Sequence, residues 1–386
     1  MMRKKLSLAE FTFMLALMTK PLYIWKSGSI QISDMLFILT TILIIYRKKG
    51  KIAYDYKSGI FLRTHFLIII YQFSINILGP ILWNPLGQYT PLLKVNLYYV
   101  FNFLVVYCVF SLIRINGYSR TVTVYITGTA LSIALSLFGV FSGATRGRIS
   151  GFFNNPNQLG YFCIIVMTAI IIYKKRLPML IRIVCIIVCT YMSILSLSKA
   201  ALVAMAVIFF LYFNEYESRF ELKKIVVSLF GIGLAFLAVY ILLFSDILPP
   251  SQFRYVYTMR DRMTNMMLEE DSSLGAGRGY SRIFEIGGFL LCGVGEGLYD
   301  RFASLSGFEI HSTYASILVS YGIIGAVMYI SLFKKALFSR KYGLRYVIIF
   351  AGIALYSITH NGIRSTLLWG LLAMSYYHIR QTMAQS

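Results

Sequence analysis

The sequence predicts an all-α, polytopic integral membrane protein, with about twelve transmembrane helices and one long polar interval late in the chain. Three observations predict it. Of the 386 residues, 58% are hydrophobic and 13% charged, against roughly 25% charged in a soluble domain; mean hydropathy is +0.70. Apolar runs recur from end to end, each long enough, at about 16–22 residues, to cross a bilayer as a helix. The alternating segments of about ten residues that mark a membrane barrel do not appear.

The runs can be taken in order. Arg3, Lys4 and Lys5 precede no small-residue cleavage site, so residues of about 7–24 read as a first span rather than a removed leader. Spans follow at about 32–46, 59–79, 93–113, 120–141, 157–173, 177–195, 199–213, 224–244, 312–332, 345–359 and 365–379. Basic segments close the even ones: YRKKGK after the second, Arg114 after the fourth, Lys174 to Arg176 after the sixth, FELKK after the eighth and FKKALFSRK after the tenth. Twelve spans place both termini on that basic side, which the positive-inside rule makes cytoplasmic. The chain then divides into residues 1–244 with spans one to nine, 245–311 as a long outer loop, and 312–386 with the last three spans. No internal repeat of 20–50 residues is visible.

The net charge of +22 would suggest nucleic acid in a soluble protein. Here most of the lysine and arginine sits in short loops on one side, and no nucleic-acid module is present. The five cysteines follow no metal spacing; four lie in apolar runs and only Cys292 in the polar interval. There is no HExxH, no Asp-rich cluster and no GxSxG, and acidic residues are scarce, so no metal or other cofactor is expected.

Three polar segments share the outer face under this topology: SGATRGRISGFFNNPN around Arg148, SLSK at Ser196 to Lys199, and the long interval up to His311. Asn155 reads as an N-cap and Pro156 as a first-turn residue, which also gives NNPN a purely local role. His311 opens the tenth span two residues after Glu309. Histidine at a helix start is often an interfacial residue, but a neutral imidazole there could also take a proton from a hydroxyl, oriented by Glu309 or Asp300. Arg146, Arg148, Arg254, Arg260, Arg262, Arg278, Arg282 and Arg301 lie on the less basic side. Guanidinium forks suit phosphate, and a lipid diphosphate would be such a ligand. Snorkelling explains Arg254, Arg260 and Arg262, which sit near Asp261 and Glu269 to Asp271; it explains Arg148 and Arg278 less well, since each is set among glycines. Lys199 at its boundary fits either reading. GVGEG at Gly293 to Gly297 is like a phosphate-cradling run without its strand–helix context.

Together these segments resemble the O-antigen ligase and polymerase superfamily. RGRISGFFNNPNQLGYF, SLSKAAL, GVGEG and EIHSTYASILVSYGIIG match four of its segments in order over about 180 residues. RGYSRI, GVGEG, RF and EIHS are most similar to Wzy-type O-antigen polymerases. The resemblance implies a GT-C type, inverting, metal-independent glycosyltransferase of a bacterial inner membrane, with the long loop and the active site periplasmic. Its substrate would be an oligosaccharide on undecaprenyl diphosphate, moved onto another lipid-linked repeat unit for lipopolysaccharide biosynthesis. A ligase would move it onto lipid A–core instead. A chain-length regulator protein would be a further partner. By position, His311 would be the catalytic base, Arg278 and Arg282 would hold the diphosphate as it leaves, and Arg148, Lys199, Asn157 and Glu309 would bind substrate. Lys199 stands where the family usually has arginine.

A transporter of lipid-linked oligosaccharide is the rival from another class. Such proteins place charges within spans, and here His65 and Arg182 are the few candidates.

Overall fold

The computed structural model describes residues 5–25, 29–51, 54–83, 90–140, 144–145, 148–213, 278–296, 310–338 and 345–384, with scattered positions between 223 and 264. Within them the chain is all-α apart from one two-stranded hairpin. Helices α1 (Leu8–Met18), α2 (Ile32–Arg47), α3 (Tyr56–Trp83), α4 (Thr90–Asn116) and α5 (Tyr118–Val140) precede the hairpin of β1 (Ala144–Thr145) and β2 (Arg148–Ile149). After it come α6 (Pro156–Ile172), α7 (Met179–Leu195) and α8 (Lys199–Phe213), then α9 (Thr313–Leu337), α10 (Arg345–Ile349), α11 (Ala351–Thr359) and α12 (Thr366–Ala384). The expected span at about 224–244 lies mostly outside the described residues.

Among the described residues, four segments are long and apolar enough to cross a membrane: Tyr56–Leu78, Val95–Asn116, Tyr118–Val140 and Thr313–Leu337. The surface of α7 supports the same environment. Leu180, Ile183, Val184, Ile187 and Tyr191 are exposed along one face, while Cys185, Cys189, Met192 and Ser193 are buried on the other. A stripe of that size facing water would be an aggregation site, and facing lipid it costs nothing. The chain is an all-α membrane protein.

The inward faces carry small polar groups that bond across helices. Thr40 Oγ1 donates to Thr12 Oγ1 at 3.0 Å, Gln72 Nε2 to Tyr329 Oη at 2.8 Å, and Asn76 Nδ2 to Asn96 Oδ1 at 2.8 Å. In a lipid environment such bonds hold helices where apolar burial cannot distinguish protein from solvent. α1 packs on α2 and α5, α4 on α3 and α12, α6 on α7 and α8, α8 on α11, and α9 on α3 and α12.

Two departures from the hydropathy pattern have local causes. α1 ends at Met18, short of the expected 24. Lys20 turns inward to pair with Asp34 of α2 at 3.1 Å, and Pro21 brings no backbone donor to continue the helix. α9 is broken at Gly322, whose φ of 65° and ψ of −167° are not helical. A break strands backbone carbonyls that must be satisfied elsewhere. The segment before α9 in sequence supplies the partners, two donors and one acceptor. Val294 N donates to Val319 O at 2.9 Å, Gly295 N to Ser320 O at 2.9 Å, and Ile324 N to Leu291 O at 3.2 Å. Tyr71 Oη of α3 sits between Cys292 O and Tyr321 O, at 2.8 and 3.0 Å.

The Gly293–Glu296 run is therefore not an anion cradle. Its amides are spent on Phe289 O, Val319 O, Ser320 O and Asn76 Oδ1. Gly293, at φ +86°, lies so close to α9 that a Cβ would meet Ser320 O at 2.3 Å. Gly293→Ala is expected to lose about 2 kcal/mol or more of stability, from the left-handed backbone and the backbone clash together. Thermal unfolding of the purified protein checks it, and a midpoint like wild type would refute the strap.

Candidate functional site

Arg148 is presented by the hairpin, where Thr145 pairs with Arg148 and Ala144 with Ile149. Its Nε donates to Ser196 O at 3.0 Å and its Nη2 to Asn157 Oδ1 at 2.7 Å. Ser196 caps the C-terminus of α7 and, with Leu197 at φ 49°, makes the sharp turn into α8, which Lys199 opens half-buried. Asn157 stands in the first turn of α6, which begins as expected: Asn155 Oδ1 accepts from Gln158 N at 2.9 Å and Pro156 follows. Arg148 thus joins two of the three polar segments.

The third joins through α11. Tyr356 is buried, and its Oη donates to Asn157 O at 2.7 Å. Its ring stacks on Tyr161 at 4.9 Å and on His360 at 4.4 Å. Tyr280, two residues after Arg278, donates to Ile358 O at 2.9 Å and accepts from Ser312 Oγ at 2.8 Å. Ser312 also N-caps α9 by accepting from Ala315 N. Thr313 Oγ1 donates to His360 O at 2.9 Å and accepts from Gly362 N at 3.0 Å. His311 is therefore held between two buried residues, Ile310 and Ser312, while its own imidazole is exposed.

Electrostatics tie the segments to one point. Burial first, then the charges of Arg278, His311 and Arg148, pull His360 down from 6.5 to about 3. An imidazole so placed is neutral across the working pH range.

The structure thus gathers Arg148, Asn157, Arg278 and His311 at one end of the bundle, around His360. Arg278 is half-buried, whereas Arg282 is buried in the short helix Arg282–Glu285. Glu309, Asp300, Arg301 and Arg146 lie outside the described residues. Among the described residues, no group of three or more His, Cys, Asp or Glu side chains gathers as a metal site.

Two groups were missed by reading motifs. One is His360. The other is an ion pair between Glu296 and Arg364, the latter four positions after His360. Glu296 is 1% exposed and takes both Arg364 Nε, at 2.8 Å, and Arg364 Nη2. Tyr99 Oη and Tyr321 Oη each donate to its other oxygen at 2.7 Å. The Arg364 guanidinium also lies over the Tyr98 ring, 5.2 Å from its centroid. The signal was available: HNGIR places His360 and Arg364 in a turn on the same face as the three polar segments, yet it reads as a simple reversal of the chain.

The charges proposed for a transporter pathway are packed against neighbours, though His65 Nδ1 and Arg182 Nε are buried with no hydrogen-bond partner among the described residues. His65 is buried and stacked on Trp369 at 4.2 Å and 9°, with Phe61 and Phe103 against it. Arg182 lies in the first turn of α7, where its Nη1 donates to Lys174 O at 3.4 Å.

No family model, curated protein or solved structure matches the chain.

Proposed function

We propose that the protein is an O-antigen polymerase, an inverting glycosyltransferase that needs no metal and works on undecaprenyl-diphosphate-linked saccharide at the periplasmic face of a bacterial inner membrane. One observation carries this reading. Arg148, Arg278 and His311, from segments up to 163 positions apart in the chain, act on a single point beside His360. Two guanidinium groups beside an exposed imidazole fit a reaction that expels diphosphate and removes a hydroxyl proton.

In this mechanism a hydroxyl of the terminal sugar of one lipid-linked repeat unit attacks the anomeric carbon of the saccharide on another. The anomeric C–O bond to phosphate breaks as the glycosidic bond forms on the opposite face. The bonding pair leaves with undecaprenyl diphosphate, whose charge Arg278 and Arg148 hold. The hydroxyl proton passes to His311. Asn157 holds Arg148 in place, and Arg282, Lys199 and Glu309 complete the proposed substrate contacts. A chain-length regulator is the proposed protein partner.

The test is the lipopolysaccharide banding of a strain deleted for the gene. Core plus a single repeat unit is the expected result. Bare core, with polymer accumulating on the lipid carrier, would make the protein a ligase. An unchanged ladder would end the glycosyltransferase reading.

A further inference from the structure

The turn between α11 and α12 is fixed residue by residue. Thr313, two positions after His311, donates to His360 O at 2.9 Å and accepts from Gly362 N at 3.0 Å. Gly362 lies against Tyr161, where a Cβ would come within 2.2 Å of the ring. Tyr161 stacks on Tyr356, whose hydroxyl reaches Asn157, the residue that holds Arg148. These contacts tie the turn to the start of α9 on one side and to the Arg148 segment on the other. Arg364, two positions after Gly362, is set by the same frame.

What holds Arg364 gives it its character. Nε and Nη2 both donate to Glu296 Oε1, and Tyr99 and Tyr321 each donate to Oε2 at 2.7 Å. The carboxylate side chain is 1% exposed and the arginine side chain 34%, so the pair is one-sided: its negative end is spent inside and its positive end reaches the surface. Glu296 fixes the plane of the guanidinium, which carries five N–H groups. Half-buried Tyr98 lies against that plane, its ring centroid 5.2 Å from the guanidinium carbon. An arginine whose charge is balanced by a carboxylate draws an anion less than Arg148 does, whose bonds to Ser196 and Asn157 end on neutral oxygens. It still donates. Donors in a fixed plane beside an aromatic ring suit a neutral polyhydroxylated ligand, whose hydroxyl oxygens accept and whose C–H face lies on the ring. Apolar residues would dock this loop on the bundle without the desolvation cost of an ion pair; the pair supplies what they would not, a donor held rigid at the surface. We propose that Arg364, presented by Glu296 and flanked by Tyr98, binds hydroxyl groups of the saccharide of a lipid-linked substrate, in a subsite separate from the arginines that take the diphosphate. This rests on the glycosyl-transfer reading above. Arg364 and Tyr98 touch the sugar; Glu296 is a positioning residue.

The experiment uses the full chain in lipid nanodiscs and two probes followed by NMR. One is oligosaccharide cut from the host strain's lipopolysaccharide, free of lipid and phosphate; the other is inorganic pyrophosphate. Arg364→Lys keeps a cation beside Glu296 and loses the fork. It is expected to weaken oligosaccharide binding about tenfold, the worth of one hydrogen bond to a charged group, with pyrophosphate binding unchanged. Tyr98→Leu is expected to weaken it about fivefold, and Tyr98→Phe, which keeps the ring, to stay near wild type. The tyrosine variants leave the Glu296–Arg364 pair in place and report if the lysine variant does not fold. In a transfer assay, a raised KM for the acceptor alone would place the subsite on the acceptor saccharide, and for the donor alone on the donor saccharide. Oligosaccharide binding at wild-type strength in Arg364→Lys and Tyr98→Leu would overturn the assignment, as would wild-type protein that binds no oligosaccharide. A loss of pyrophosphate binding instead would make Arg364 an anion site and overturn it too. An unchanged ladder in the deletion strain, with oligosaccharide binding lost in the variants as expected, would end the transfer reading and keep the subsite.

Discussion

His311→Ala is expected to abolish long polymer in cells while the protein inserts in normal amount. The two halves of that expectation have separate grounds. A general base contributes typically about 10²–10⁴-fold to rate, enough to erase a polymer that needs many successive transfers. The imidazole itself is exposed, and the backbone on either side is held by buried Ile310 and by Ser312 capping α9. Removing the ring therefore costs the fold little. Polysaccharide banding beside an immunoblot of the membrane fraction measures both. Long chains from the alanine variant, at wild-type length and amount, would refute the role of His311.

A second large effect is expected at Arg364, in stability first. Arg364→Met leaves the Glu296 carboxylate buried, with two tyrosine hydroxyls but no cation. Breaking a buried pair from one side costs about 3–5 kcal/mol. Glu296→Gln should cost less. It leaves Arg364, whose side chain is 34% exposed and can recruit water, and it keeps an oxygen for Tyr99 and Tyr321. The two changes are expected to be non-additive, because Arg364→Met in the glutamine background no longer strands a charge. Thermal unfolding of the four proteins in one detergent completes the cycle. Strict additivity would show that the pair is not energetically coupled.

Much of the helical layout was legible because hydropathy acts over whole spans, so errors at single residues average out. The start of α6 was legible because its cap is local: Asn155 and Gln158 are three apart. Arg148 and Ser196 belong to two polar segments expected on one face and do meet, whereas the contact of α11 with Asn157 was not legible. Glu296 was not legible. It stood as one carboxylate among glycines, while its partners come from α3, α4, α9 and the turn before α12, up to 220 positions away. The end of α1 was misplaced for a similar reason: Lys20 pairs with Asp34 of α2, fourteen positions away.

The way residues 291–296 are sewn into the broken helix α9 bears on protein engineering. The polar interval invites treatment as a cassette, to be exchanged between related membrane proteins. Its last part is not modular. A graft that ends at residue 311 would bring a foreign glycine strap and a foreign carboxylate to a helix break and an arginine fitted to other partners. A graft that ends before residue 278 leaves Tyr280, Gly293 and Glu296 with the helices they complete. The seam along which such proteins can be recombined thus runs inside the apparent loop, not at its border with the membrane.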